Sequence, residues 1–535
     1  MKRLITSSGS NGAVSSASKL ASAEGIKVLK NGGNAVDAAL TMASILTLDE
    51  PYFNSIGGHG ILLIYSSKTN STECLDFGGF LPKLFNINQL GNPPRLNKYS
   101  PTCTVFPALL SGWNEVLRKF GSYNLKSILQ PSIDYAFNGI EVTPTLQNNL
   151  KNIKDNTINN YEFNKIYFPQ NKVPDINEKI YYPDLGNTYE LIAKNGIEYF
   201  YNGPLTKTIC NHLNKVGSRF TLKEFNSYKP IWRDTLICSY PDGFEVVVPK
   251  CQTASPTILT QLNILNKLGQ TVSEKELIHL KLEIAKIALN LRSLYCGDPK
   301  YHDIKYDYLI SEELAEIYLN KLNVNITLND DIKNISSHLT PDGTSHLCVV
   351  DSENNIVTLT QTIGPHFGTL DIIPGTGILM NNEGIFFDLL PINGPNYPVG
   401  GKLSQHDMSP VLIYKCNNPI VALGTPGGTG ITQTTTQVIQ KIISNKYDIG
   451  KSIADDRYRY YGNNNFKIEN VNELTKNYLL NIGHKINEPH LNDPNNLFDT
   501  NTIWPGGFNA ITTDKQNNLF TSASDWRRNC SAMSF

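Results

Sequence analysis

No run of about eighteen uninterrupted apolar residues occurs in the chain, so the sequence carries no signal for a membrane-crossing helix. An excess of charge of one sign is missing too: 47 basic residues meet 48 acidic ones, which leaves no electrostatic footprint for nucleic acid or an anionic membrane surface. The opening MKRLITSSGSNGAVSSASKL has two basic residues but no apolar stretch of export-signal length, because Ser, Gly and Asn interrupt it at once. Cysteine is sparse, with nine scattered residues and no C-x-x-C pair, which disfavours a disulfide framework or a zinc site. A reducing, cytoplasmic compartment is the expectation. The histidines at 59, 346, 366 and 406 show no H-E-x-x-H spacing, so no metal and no cofactor is expected, and ordinary hydrogen bonding is expected for each ring. No G-x-S-x-G elbow is present either, which argues against an α/β-hydrolase. What these absences leave is a small-molecule partner.

What is present is a chain of 535 residues, long enough for several domains or one large multilayer α/β unit. Residues 15–50 read as two helices, with Gly32-Gly33 where a C-cap would fall. IGGHGILLIYSS and TECLDFGG then read as a hairpin. The polar stretch 145–190 suggests surface helices and loops rather than core. Residues 276–296 form the clearest amphipathic helix, whose stripe is read as core. The stretch 325–343 lacks a period and reads as a long exposed loop ending at Thr344. Beyond it, HLCVVD and IVTLTQT read as a second hairpin, PIVALG as a strand, and ITQTTTQVIQKIIS as a helix.

Two places could carry chemistry. Thr344 follows Gly343 at the junction of loop and hairpin, where its hydroxyl could attack the preceding carbonyl without side-chain crowding. Cutting that bond would give Thr344 a free α-amine, so that one residue supplies nucleophile and base. The plain alternative is a Thr that starts a strand. The second place is Gly424-Thr-Pro-Gly427-Gly428-Thr-Gly430 ahead of a helix, where backbone N–H groups could hold an oxyanion or a phosphate. A Walker loop would need Lys and then Ser or Thr after its last Gly, and Ile431-Thr432 stands there instead; a tight turn is the structural alternative.

Taken in order, several segments resemble the γ-glutamyltransferase family along the whole chain. They are Gly32-Gly33-Asn34-Ala35-Val36-Asp37-Ala38-Ala39, Ile56-Gly57-Gly58-His59-Gly60, Gly297-Asp298-Pro299 and Gly343-Thr344-Ser345-His346. The resemblance implies an α/β (α+β) fold, the four-layer αββα sandwich of N-terminal-nucleophile hydrolases. It implies a precursor cut into a large chain, 1–343, and a small chain, 344–535, interleaved as one unit. Thr344 would be the nucleophile and Thr362 the second Thr that hydrogen-bonds it, with Thr360 the fallback should the strand register slip by two. Gly427 and Gly428 would form the oxyanion hole, and Asn381-Asn382 matches a paired Asn near the substrate pocket. A homo-oligomer is compatible with the family.

The departures fall on the glutamate clamp. The family Arg that pairs the α-carboxylate follows Asp-Phe, and here Gly78 follows Asp76-Phe77. Two family Ser precede Met-Ser-Pro, and here His406-Asp407 precede Met408-Ser409-Pro410. The family Asp that pairs the amine falls on Phe386, an Asn on Gly364, and a Gln or Glu on Glu383. A buried carboxylate without its Arg would cost several kcal/mol, so the resemblance points toward amidohydrolase branches similar to oxamate amidohydrolase or cephalosporin acylase. His406, Asp407 and Glu383 form either a replacement polar site or a solvated rim. A γ-glutamyl hydrolase or transferase, and an uncut binding module, are the alternatives.

Overall fold

The structure is a computed structural model describing residues 3–268, 272–328, 343–444, 448–487 and 506–535. Two seven-stranded sheets, antiparallel throughout, stack face to face. The first runs Ser531–Ser534, Gly12–Ser16, Ser345–Asp351, Ile356–Thr362, His59–Ser66, Ser71–Phe77 and Ile231–Arg233. The second runs Ile5–Gly9, Leu519–Ser524, Asn509–Asp514, Asn418–Gly424, Val411–Lys415, Phe244–Pro249 and Thr235–Tyr240. Strands from before and after Gly343 therefore share both sheets, and a cut there would leave two chains held by the same ladders.

Side-chain alternation along each strand explains the four layers. On Ser345–Asp351, Cys348 and Val350 point between the sheets and meet Val247, Leu412, Ala422, Ile511 and Phe520. Their neighbours Leu347 and Val349 point the other way, into a core with the helices Lys19–Lys30, Ala35–Asp49, Leu109–Phe120 and Leu125–Asn138. The second sheet's outer face is covered by Pro256–Lys267, Gly430–Ser444 and Ile449–Ala454. The central strands are thus buried on both faces, whereas the strands Ile5–Gly9, Ile231–Arg233 and Thr235–Tyr240 at the sheet edges keep exposed positions.

The Gly-Gly-Asn-Ala-Val-Asp signature builds this frame. Gly32 adopts φ +86°, the left-handed exit that a Cβ disfavours. Asn34 then caps Ala35–Asp49 by accepting from Val36 and Asp37, and Asp37 accepts from the Asn34 N–H at 2.9 Å. The Asp37 carboxylate also accepts from the N–H groups of Ser122 and Tyr123, both at 3.0 Å, tying the capping box to the next helical pair.

Two expectations need correction. Ser15 and Ser16 belong to a central strand, Gly12–Ser16, and the first helix begins only at Lys19 behind its cap Ser18. The segment 145–190 is helical, yet Leu146, Leu150, Phe163, Tyr167 and Tyr189 enter the main core. Its polar residues are the outer faces of amphipathic helices, and a composition average hid the inner ones. The long loop expected at 325–343 lies mostly outside the described residues. The amphipathic helix is found at Glu274–Tyr295, but its buried stripe carries His279, Glu283, Lys286 and Arg292 as well as aliphatic residues. Among the described residues no helix is long and apolar enough to cross a membrane.

Candidate active site

Thr344 stands immediately before Ser345–Asp351, and that strand pairs Ser345 with Gln361 and His346 with Thr360. Continuing the register by one residue sets Thr344 against Thr362, at the spacing where cross-strand side chains meet. Thr344 is 6% exposed and holds φ +92°, a costly backbone conformation for a β-branched residue. Arg528 Nη1 donates to its carbonyl at 3.3 Å. Gly343 has no room for a side chain, since a Cβ would lie 2.9 Å from the Gly364 carbonyl carbon and 3.0 Å from Pro365 N. Gly343→Ala is therefore expected to displace the scissile carbonyl and slow cleavage before Thr344 at least tenfold, or about 1.4 kcal/mol in barrier; a time course of precursor disappearance measures it. Thr360 is not free to substitute for Thr362, because its hydroxyl is hydrogen-bonded to His346 Nδ1 at 2.8 Å.

Thr362 has a defined partner on each side. Its oxygen accepts from the Gly364 N–H at 2.8 Å, and its hydroxyl donates to Glu383 Oε1 at 3.4 Å. The other carboxylate oxygen of Glu383 faces His59 Nε2 at 3.1 Å, although the N–H is not aligned as a full hydrogen bond. His59 Nδ1 accepts from the Gly79 N–H at 2.9 Å, which fixes the proton on Nε2. Gly364, where the family has Asn, adopts φ +83°, and a Cβ there would fall 1.9 Å from Asn382 Oδ1. Asn381 is committed to the backbone, donating to Gly57 and Val105 carbonyls at 2.8 Å and accepting from the Val105 N–H at 2.9 Å. Asn382 donates to the carbonyls of Lys98, Pro365 and Gly368, and its own buried oxygen has no partner.

The solvated-rim reading of His406, Asp407 and Glu383 is overturned, because all three are only 2–3% exposed. Asp407 is gripped by Arg292, with Nε to Oδ1 at 2.7 Å and Nη2 to Oδ2 at 3.0 Å. His406 stands edge-on to His59 with ring centroids 5.4 Å apart. Neither of its ring nitrogens has a partner, against the expectation of ordinary hydrogen bonding, and His366 Nδ1 is likewise bare. Burial, with smaller contributions from His59 and Arg292, drives the His406 imidazole far below its usual range, so the ring is neutral. At Gly78 a Cβ would meet Gln252 Nε2 at 2.6 Å, so the missing family Arg leaves no vacant slot. Two residues before it, Asp76 is bound to Arg233 at 3.1 Å.

The glycine loop opens beside the same junction. Gly424 ends its strand flat against the His346 ring, where a Cβ would sit 2.2 Å from Cε1. Gly427 at φ +140° and Gly428 at φ +53° then turn the chain into the helix Gly430–Ser444. Backbone N–H groups of a glycine turn ahead of a helix are the kind of donor an oxyanion site uses.

Behind Thr344, on the opposite side of the strand, lies a network that sequence reasoning missed. Ser345 donates to the buried Glu50 carboxylate, and Asn54 Nδ2 donates to Ser345 Oγ at 2.7 Å. Burial pushes Glu50 up to about 7, against the opposing pull of Arg528 and the Ser345 hydrogen bond. A carboxyl raised in this way favours the fold when protonated: its contribution is complete below the ordinary value of 4.5 and is lost as pH rises through about 7. Glu50→Gln is expected to remove this dependence, on the order of 3 kcal/mol across that window, which denaturant melts at a series of pH values would record.

His279, Glu283 and His484 bring three ligand-type atoms within 4.8 Å of one another, a cluster the sequence spacing did not reveal. Its groups are largely paired already, although His484 Nδ1 has no partner among the described residues. Lys286 pairs with Glu283 at 2.9 Å, the Leu328 N–H donates to the other oxygen at 2.8 Å, and the two imidazoles hydrogen-bond each other at 2.7 Å. An ammonium in the ligand shell balances the carboxylate without a metal and would repel one.

A two-sheet sandwich with helices on both outer faces and a Gly-Thr junction heading a central strand defines the class: amide-cleaving hydrolases of the N-terminal-nucleophile type. Residues 21–535 match the family model for gamma-glutamyltranspeptidase, and the chain belongs to that family and is an enzyme of it. It is 27% identical to the glutathione hydrolase proenzyme of Bacillus subtilis (strain 168), over 98% of this chain and 92% of that one. It is also 27% identical to the acylase ACY 1 proenzyme of Pseudomonas sp. (strain SE83), over 97% and 93%. Its fold is similar to the crystal structure of cephalosporin acylase from Bacillus halodurans, with TM-score 0.89 and 24% identity over 100% of this chain and 98% of that one.

Proposed function

We propose that the chain is a precursor that cleaves itself between Gly343 and Thr344, and that the new N-terminal Thr344 then attacks small-molecule amides to form an acyl-enzyme released to water. The observation that carries this reading is the junction itself: a Gly343 whose surroundings admit no side chain, a strained Thr344, and Thr362 one register step further along the ladder. After cleavage the α-amine serves as base, Thr362 steadies the nucleophile, and the Gly427 and Gly428 N–H groups receive the oxyanion. Residues 1–343 and 344–535 remain one interleaved unit. Asn381, Asn382, Glu383, His406 and Asp407 line the acyl side. The absence of paired thiols among the nine cysteines supports a reducing, cytoplasmic setting.

The acyl group is not glutamyl in this reading. Asp407 neutralises Arg292, and Gly78 replaces the family clamp, so an incoming α-carboxylate would meet Asp407 and Glu383 without the family's guanidinium, while Arg528 is turned to the Thr344 carbonyl. The acylase names among the relatives accord with this, whereas a glutathione hydrolase relative of equal identity favours the second reading. Incubating the mature enzyme with glutathione plus glycylglycine, and in parallel with N-acyl amides lacking an α-carboxylate, tests the choice. Turnover confined to the second set supports the acylase reading, and glutamate release stimulated by glycylglycine overturns it.

A further inference from the structure

We propose that Glu383, acting through Thr362, takes up the proton released when Thr344 first attacks Gly343, and that His59 is the positioning residue that holds the Glu383 carboxylate for this task. The inference rests on the self-cleavage proposed above and addresses a gap in it. In the uncut chain the Thr344 nitrogen is an amide and cannot act as a base, so the base used in turnover does not yet exist.

Among the described residues the other groups near the junction fail on geometry or basicity. His346 lies two residues on, but its ring is engaged by Thr360, Thr358 and Cys348, and burial drives it down to about 3. His406 is neutral and far below its usual range. Glu50 is bonded to Ser345, whose side chain leaves the strand on the opposite face from that of Thr344. Glu383 alone is wired to the residue facing Thr344. Because Thr362 accepts from the Gly364 N–H, its own proton is directed at Glu383, and the oxygen's remaining lone pair is left for the Thr344 hydroxyl. His59, locked as the Nε2–H tautomer by Gly79, sets Nε2 3.1 Å from the far oxygen of Glu383, short of a fully aligned hydrogen bond.

The step balances. Thr344 Oγ bonds to the Gly343 carbonyl carbon while its proton passes to Thr362 and the Thr362 proton passes to Glu383. Collapse of the adduct breaks the Gly343 C–N bond, and the proton returns through Thr362 to the departing Thr344 nitrogen. Water then hydrolyses the Gly343–Thr344 ester to a carboxylate and a free hydroxyl.

The test is timed cell-free synthesis of the full chain, following the precursor's conversion to 1–343 and 344–535 by intact mass. Wild type is compared with Thr344→Ala, Glu383→Gln, Glu383→Asp, His59→Phe and His59→Gln across acid to neutral pH. The titratable group that faces Glu383 is His59; His406 packs on His59, with the Arg292–Asp407 pair next to it. Glu383→Gln is expected to slow cleavage by about 10²- to 10⁴-fold, the usual worth of a general base, and to flatten the acid limb of the rate profile. Glu383→Asp should retain the limb. His59→Phe should lose rate, and His59→Gln, which keeps a donor at the Nε2 position, should recover most of it. Should Glu383→Gln melt early, the Asp and His59 variants decide. Cleavage that depends on Thr344 but keeps wild-type rate and profile in Glu383→Gln, or equal loss in both His59 variants, overturns the relay. A wild-type chain that is never cut overturns the underlying self-cleavage instead.

Discussion

Replacing Arg292 by alanine is expected to destabilise the protein by about 3–5 kcal/mol, the usual consequence of stranding one member of a buried ion pair. Arg292 and Asp407 are each about nine-tenths or more buried and joined by two short hydrogen bonds. Water is absent from such a place as an alternative partner, so the loss falls almost wholly on Asp407. The double change Arg292→Met with Asp407→Leu removes both charges and is expected to recover most of the loss. Denaturant unfolding of the three variants measures this. A double variant as unstable as Arg292→Ala would mean that the pair's remaining contacts, not its charge balance, hold this wall of the pocket.

Thr344→Ala is expected to have the largest effect on activity. It removes the nucleophile of both stages, so the chain should stay whole and amide turnover should fall at least about 10³-fold, to whatever binding and the oxyanion donors supply alone. Thr344→Ser keeps the hydroxyl and should be cut, more slowly or faster according to how far the strain at φ +92° depends on the β-branched methyl. Initial rates on any amide the wild type accepts provide the measurement.

How much of this could be read beforehand follows from where the signal is local. The capping box at Asn34 and Asp37, the hairpin His59–Ser66 with Ser71–Phe77, and the helix Gly430–Ser444 behind its glycine loop are all written in adjacent residues, and the expected elements are found there. Ser15-Ser16 misled because small polar residues suit a helix as well as a strand whose hydroxyls are satisfied across the sheets, as Ser15 is by Ser524 and Asn509. The polar stretch 145–190 misled because each helix needs only one apolar face.

The site divides in the same way. The hairpin register ends with Ser345 opposite Gln361, and continued by one residue it sets Thr344 against Thr362, the placement the family order implied. Arg292 was passed over inside an amphipathic helix, where it shares the buried stripe with His279, Glu283 and Lys286 as well as aliphatic residues. The pairing of His59 with Glu383 joins residues far apart in the chain and leaves no period or spacing at all. His406, Asp407 and Glu383 were grouped by the family comparison of their positions, and that all three are buried is something no spacing in the sequence reveals.

The most direct measurement is the intact mass of the purified wild-type protein with sequencing of any new N-terminus. The account predicts two chains, 1–343 and 344–535, the second beginning Thr-Ser-His. A single uncut chain that still turns over an amide would contradict it.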